Sequence, residues 1–136
     1  MESFNWLSFI IAGLVPSIVG FVWHQPKVFG QVMDKAMGPE AVRMKKGHKP
    51  YVHILAMLLS FLIAFYLPYI VVHEVPEFAT FKHGAYHAAI AAFHFSIPLV
   101  IVNYLYEDKP FIYIVFNVMY WMISISIMGG IISAMA

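Results

Sequence analysis

Four long stretches of this chain contain no Asp, Glu, Lys or Arg, and the charged residues are concentrated between them. The four stretches cover residues 4–23, 50–72, 83–104 and 111–135. A bilayer hydrocarbon core about 30 Å thick is crossed by ~20 helical residues. The pattern therefore predicts an all-α membrane protein with four transmembrane helices.

The overall composition agrees with a lipid environment and excludes several kinds of site. Hydrophobic residues make up 62% of the chain and charged residues 11%, whereas soluble domains carry about 25% charged residues. The formal net charge is only +1, so no nucleic-acid partner is expected. There is no cysteine, which excludes disulfides, thiolate metal ligands and cysteine nucleophiles.

The connections between the apolar segments are short, so the chain is expected to form one domain over residues 1–136. Short connections make successive helices antiparallel neighbours, which predicts an up-down bundle. A cleavable signal peptide is the alternative interpretation of the first segment. That segment lacks a basic n-region and has no small-residue cleavage site before His24, so we expect it to be a transmembrane helix.

Basic residues are distributed unevenly among the connections, and this predicts the orientation. Six lie in the loop 24–50 and one, Lys109, lies in the last turn, whereas the connection between the second and third helices has only Lys82. Basic loops stay in the cytoplasm. We therefore expect a multi-pass protein of the cell inner membrane, with the loop 24–50 cytoplasmic and both termini outward. The six basic residues of the loop are Lys27, Lys35, Arg43, Lys45, Lys46 and Lys49.

Part of the loop 24–50 has the pattern of a helix lying in the membrane interface. This helix is predicted over residues 29–44. Its lipid-facing side would consist of Phe29, Val32, Met33 and Met37, together with the preceding Val28. A charged contact is also expected to join the two helical hairpins on this side. Its partners would be Lys27 or Arg43 and Glu107 or Asp108.

Small residues mark one face on each of the last two helices. Helices in lipid associate mainly by close packing at such residues. Two interpretations stay open: packing within one chain, or a face that builds a homo-oligomer. The residues are Gly84, Ala85, Ala88, Ala89, Ala91 and Ala92 on the third helix, and Ser126, Gly129, Gly130, Ser133 and Ala134 on the fourth.

Three histidines form a candidate metal site at the outward ends of the second and third helices. His83 and His87 are four residues apart and so lie on one face of a helix. Folding the second and third helices as a hairpin brings His73 close to them. Zinc, copper or another divalent ion would suit such ligands. The alternative is that these histidines sit among lipid headgroups and bind no metal.

Four further polar residues are predicted to be buried within the apolar segments: His94, Asn103, Asn117 and Tyr120. Their expected role is hydrogen bonding between helices. The alternative is a polar path through the bundle lined by His94, Asn103 and Asn117, as in a small transporter or channel.

Cofactor and catalytic sites are not expected from this sequence. No second histidine lies at the depth of His94 on the second helix, so a haem between the second and third helices is disfavoured. The chain has no glycine-rich phosphate loop, no serine triad setting and no paired buried carboxylates. We therefore expect neither a cofactor nor a catalytic residue, and the chain is not expected to be an enzyme.

Two motifs resemble a family of small bacterial membrane proteins. The segment Gly-Phe-Val-Trp-His-Gln-Pro-Lys-Val-Phe-Gly over residues 20–30 resembles that family's Gly-x-x-Trp-Tyr-x-Pro-x-x-Phe-Gly, with His24 in place of the tyrosine. The turn Glu-Asp-Lys-Pro over residues 107–110, with Asn117, Tyr120 and the glycine pair at 129–130, fits its last-helix pattern. The resemblance implies a similar length and four helices. Because the family is uncharacterised, the resemblance does not indicate any activity.

Three functions are consistent with these features. The leading expectation is a non-enzymatic inner-membrane protein that works through helix packing, as a small oligomer or an accessory subunit of a membrane complex. The first alternative is a small transporter or channel-like protein. The second is an outward-facing metal-binding membrane protein that uses His73, His83 and His87.

Overall fold

The computed structural model of the protein describes residues 4–41 and 47–136, and within these ranges the regular structure is helical with no strand. Each of the four long helices is apolar and long enough to cross a membrane, which confirms an all-α, multi-pass membrane protein. The short helix follows a π-helical turn, Pro26–Gly30. The helices are α1 (Trp6–Trp23), α2 (Gln31–Met37), α3 (Pro50–Val71), α4 (Phe81–Tyr106) and α5 (Phe111–Ala134).

The long helices begin at residues suited to a helix start, and all observed ends lie within two residues of the predicted ones. The Asn5 side chain accepts a hydrogen bond from the Ser8 backbone N–H at 3.0 Å. The Thr80 hydroxyl oxygen accepts one from the His83 N–H at 3.2 Å. Pro50 occupies the first turn of α3, where its missing N–H costs nothing.

Prolines interrupt two of the long helices. In α3 the regular helix runs over Pro50–Tyr66 and resumes as Pro68–Val71, as expected because Pro68 supplies no N–H to the helix. In α4 a π-helical segment, Ala92–Ser96, precedes Pro98. A proline ring crowds the carbonyl four residues before it, and prolines and π-helical turns are both sites where helices depart from regular geometry.

The closest helix packing joins the first half of α4, Phe81–Ala91, to α5 and depends on glycines. A Cβ atom at Gly84 would collide with the carbonyl oxygen of Gly129, and one at Gly130 would collide with the Phe81 ring. Ser133 also donates a hydrogen bond to the Phe78 carbonyl at 3.2 Å. These small residues therefore serve packing within one chain, which is the first of the two interpretations of the small-residue faces.

The first helix lies between α3 and α5. Gly13 packs directly against the ring of Phe61 on α3. The Tyr120 hydroxyl on α5 donates a hydrogen bond to the Pro16 carbonyl at 2.7 Å, and the Asn5 amide donates one to the Met135 carbonyl, also at 2.7 Å. Since the start of α1 meets the end of α5, these two helices run in opposite directions.

The buried core lies where α1, α3, α4 and α5 meet, and most large apolar side chains outside it point outward. A soluble protein would not expose so much apolar surface, whereas lipid tails cover it without cost. The core consists of Ala12, Val15, Ala64, Leu67, Val71, Ala88, Ala92, Ile125, Met128 and Ile132.

The segment after α1 differs from the predicted interfacial helix. Met33 and Met37 are buried against the protein instead of facing lipid, because α2 packs against α5. Residues 42–44, the end of the predicted helix, and Arg43 with them, lie outside the described ranges. The ion pair seen among the described residues here differs from the predicted contact in both partners: Lys109 Nζ lies 3.1 Å from the Glu40 carboxylate.

Candidate metal centre

Two of the three candidate ligands stand on the first two turns of α4. The Thr80 cap starts this helix just before His83, so the His83 backbone is held at its first turn. His87 follows four residues later, and the two imidazole centroids are 4.3 Å apart. The predicted pair is therefore present on one face of a regular helix.

The third ligand comes from the connection that follows α3. His73 lies two residues beyond the last residue of α3, Val71, and the chain then turns through a short 3-10 helix, Pro76–Phe78, before α4. The His73 ring centroid lies 4.9 Å from that of His83 and 5.1 Å from that of His87. The hairpin thus brings together the three histidines that the sequence singled out, which we call the three-histidine cluster.

The distances within the three-histidine cluster suit one metal ion after a small movement. One ring nitrogen from each histidine lies within 4.8 Å of the other two. Nitrogens on a tetrahedral zinc ion are about 3.3 Å apart, given zinc–nitrogen bonds of ~2.0–2.1 Å. Closing the triangle from 4.8 Å to about 3.3 Å moves each nitrogen inward by roughly 0.9 Å or less.

One nitrogen of the cluster is buried without a hydrogen-bond partner. The Nε2 atom of His83 is shielded from solvent, and no protein group donates to it or accepts from it. Leaving a buried polar atom unpaired costs about 1–3 kcal/mol, and such atoms in native proteins often mark an ion or water site. The unpaired nitrogen is independent support for a ligand at this position.

Phe78 orients the central imidazole. Its ring stacks on that of His83, with 7° between the planes and 4.8 Å between the centroids. The loop carrying Phe78 is in turn attached to α5 through the hydrogen bond from Ser133. Sequence reasoning missed Phe78, because only the folded loop places an aromatic residue five positions away over the histidine.

The donor set narrows the kind of ion. Three neutral imidazoles suit zinc, copper, nickel or iron, whereas magnesium and calcium prefer oxygen ligands. Three protein ligands also leave a position for water or another ligand, as in open zinc sites. His73 is exposed while His83 and His87 are half-buried, so an ion would be reached from the side of His73.

Of the four polar residues predicted to be buried, two are half-buried on α5. The Asn117 amide donates to the Tyr113 carbonyl of its own helix at 2.9 Å. Tyr120 makes the predicted kind of contact between helices, since its hydroxyl donates to Pro16 of α1.

The other two residues, His94 and Asn103, are exposed on α4, which corrects the expectation that they are buried. The buried side of α4 is marked by Gly84, Ala88 and Ala92, and His94, two residues after Ala92, lies roughly on the opposite side of the helix. Its Nδ1 atom pairs with the Ile90 carbonyl of its own helix at 2.8 Å. His94 and Asn103 therefore line no path inside the described bundle.

A crevice lies at the end of the bundle opposite to the three-histidine cluster. The crevice has a volume of about 950 Å³ and runs between α1, α2, α3 and α5. Its lining is mostly apolar. His24, His48 and His53 lie along it, and the last two rings are 6.1 Å apart. Among the described residues, the three-histidine cluster is the one group of three or more histidine or acidic side chains close enough to share an ion.

Comparison with known proteins gives a family and no activity. No curated protein and no solved structure matches this chain. A family described as "Protein of unknown function (DUF1761)" matches residues 7–133, which cover the four long helices except Trp6 and Ala134 and include the three-histidine cluster. The match agrees with the resemblance to an uncharacterised family noted in the sequence. This chain therefore belongs to the family of proteins of unknown function DUF1761.

Proposed function

We propose that this membrane protein binds one transition-metal ion at the outward-facing ends of α3 and α4, through His73, His83 and His87. The observation that carries the proposal is the approach of one ring nitrogen from each histidine to within 4.8 Å of the others. Zinc is the natural first ion to test, since it accepts three imidazoles and an exchangeable ligand. Copper and nickel are compatible with the same donors.

Two features favour a metal over histidines that merely lie among lipid headgroups. Headgroup histidines gain hydration by spreading apart, whereas these three rings are packed with centroids 4.3–5.1 Å apart. Headgroup histidines also keep their nitrogens in contact with water, whereas the Nε2 atom of His83 is buried and unpaired. Both features are explained by a positive ion shared among the rings.

The orientation that we propose places this site outside the cytoplasm. The loop 24–50 and the turn at 107–110 carry seven of the eight basic residues, and they meet at one end of the bundle through Glu40 and Lys109. By the distribution of basic residues this end faces the cytoplasm of a cell with an inner membrane. The three-histidine cluster lies at the other end, near both termini, because Asn5 and Met135 pair there.

The site binds and does not catalyse in this proposal, and the chain acts together with other membrane components. Lipid covers the outward apolar side chains, and a second copy or a larger membrane complex is proposed to occupy part of that surface. Such a partner would use exposed side chains on the outer faces of the helices, such as Phe95 on α4, because Gly84, Gly129 and Gly130 already pack within the chain.

The test of metal binding uses the full chain purified in mild detergent, stripped with a chelator and then titrated with zinc. The unmutated protein is expected to bind one zinc ion per chain and no magnesium. His83→Gln and His87→Gln are each expected to weaken zinc binding by at least ~100-fold, since loss of even an outer-shell partner costs 10–100-fold. The matched control is His53→Gln, an exposed histidine on another helix, which should bind as the unmutated protein does.

Two outcomes would contradict the metal proposal. One is an unmutated protein that takes up no zinc, copper or nickel. The other is a His53→Gln variant that loses as much affinity as His87→Gln, because that would indicate binding by scattered histidines.

The orientation has its own test. A reporter that is active only outside the cytoplasm should be active when fused after Ala136 and inactive when inserted near Gly47. The reverse pattern would place the three-histidine cluster on the cytoplasmic side and would refute the outward-facing assignment without touching the metal proposal.

A further inference from the structure

We propose that the metal ion is the joint between α3 and α4, so that its binding determines whether these two helices are locked together or free to separate at their outer ends. The inference rests on the proposed metal site. It adds that occupancy of the site is coupled to the arrangement of the helices, with the ion as the regulating ligand.

The ligands stand on two different helices that have little other contact. His73 follows the end of α3, and His83 and His87 are on α4. The two helices touch mainly where the last turn of α3, Pro68–Val71, meets the first turns of α4, while the rest of α3 packs on α1. An ion held by these three side chains therefore crosses the joint at the place where the two helices meet.

The ion-free arrangement contains an unfavourable group that movement of the joint can relieve. The Nε2 atom of His83 is buried without a partner. Buried polar atoms gain free energy by reaching water or a ligand. The His73 ring, 4.9 Å from that of His83, is carried by a loop whose regular structure is limited to a short 3-10 helix. Without an ion we expect this loop to open and hydrate His83, and with an ion we expect it to close.

Because of the position of α3, its movement would also affect the crevice at the opposite end of the bundle. This helix lies at the edge of the bundle, and many of its large side chains are on the outer surface, such as Leu58 and Leu62. Its inner half also forms one wall of the 950 Å³ crevice at the opposite end, through residues such as Ile54 and Met57. A change of tilt at the outer joint therefore changes the width of the crevice.

Distances measured between spin labels can test the joint directly, because the chain contains no native cysteine. The reporting pair is Tyr69→Cys on α3 with Ile90→Cys on α4, both exposed. The control pair is Phe21→Cys on α1 with Phe111→Cys on α5, which does not span the joint. Both doubly labelled proteins are measured in detergent after chelation and again with zinc, and the bound zinc of each sample is determined.

Zinc is expected to remove the longer distances from the reporting pair and to leave one narrow population. The control pair should not change, and adding His87→Gln to the reporting pair should abolish the effect. If zinc binds and the reporting distances stay the same, the joint is refuted while the metal site stands. If the unmutated protein binds no zinc, the proposed function itself fails and the joint fails with it.

Hydrogen exchange on the unlabelled protein provides a second measurement, which does not depend on the folding of cysteine variants. Zinc should slow amide exchange in residues 72–80, where the connection carries His73, and should leave residues 26–37 at the other end unchanged. Equal slowing at both ends would indicate general stabilisation and would refute a local joint.

Discussion

The ring of Phe78 lies parallel to the imidazole of His83, with 4.8 Å between their centroids. This contact fixes the plane of the central ligand in the three-histidine cluster. It also connects the cluster to α5, because the Phe78 carbonyl accepts a hydrogen bond from Ser133. The proposed metal site thus depends on a residue that is not itself a candidate ligand.

Replacing Phe78 by leucine should weaken zinc binding without abolishing it. The ligands stay in place, but the His83 ring loses its flat neighbour, and disturbing such a supporting contact costs about tenfold in affinity. Competition against a zinc indicator measures the change. Phe95→Leu, at an exposed ring on α4, is the control and should leave affinity unchanged; equal affinities for all three proteins would show that stacking has no orienting role.

Zinc should raise the thermal stability of the detergent-solubilised protein. A ligand that binds only the folded state at 100 times its dissociation constant stabilises it by about 2.7 kcal/mol. The shift in unfolding temperature should disappear in His87→Gln, persist in His53→Gln and be reversed by a chelator. A shift of the same size in His87→Gln would mean that zinc acts elsewhere.

Adding side-chain volume at Gly84 should destabilise the bundle. A Cβ atom there collides with the backbone of Gly129, and forcing extra atoms into a packed interface costs about 1–3 kcal/mol. Unfolding of Gly84→Ala by a denaturing detergent, compared with the unmutated protein, measures the loss. Ala134→Val is the control, since Ala134 is exposed on α5; if both variants unfold alike, the glycine contact is not what holds α4 to α5.

Removing the hydroxyl of Tyr120 should weaken the contact between α1 and α5. Its hydrogen bond to the Pro16 carbonyl is 2.7 Å long, and hydrogen bonds between transmembrane helices contribute on average ~0.6 kcal/mol, at most about 1.7 kcal/mol. Tyr120→Phe should lower stability by that amount in the same unfolding assay. Tyr106→Phe, at a residue that is 88% exposed, should have no effect, and a larger loss there than at Tyr120 would contradict the assignment.

The sequence alone determined the four membrane-spanning helices to within two residues at their ends. Hydrophobicity along the chain reports the length of each crossing, and local signals such as Asn5, Thr80 and Pro50 start the helices without help from distant residues. The pairing of His83 with His87 was determined in the same way, because a spacing of four places both on one helical face.

Only the tertiary structure decided what depends on distant parts of the chain. The approach of His73 to the helical pair and the stacking of Phe78 follow from the path of the connection over residues 72–80, which no periodicity encodes. The exposure of His94 follows from which side of α4 packs on its neighbours, the side that carries Gly84, Ala88 and Ala92. The burial of Met33 and Met37 against α5 follows from where α2 docks. Local sequence sets helix length and face, but the choice of neighbour is made by close packing between segments far apart in the chain.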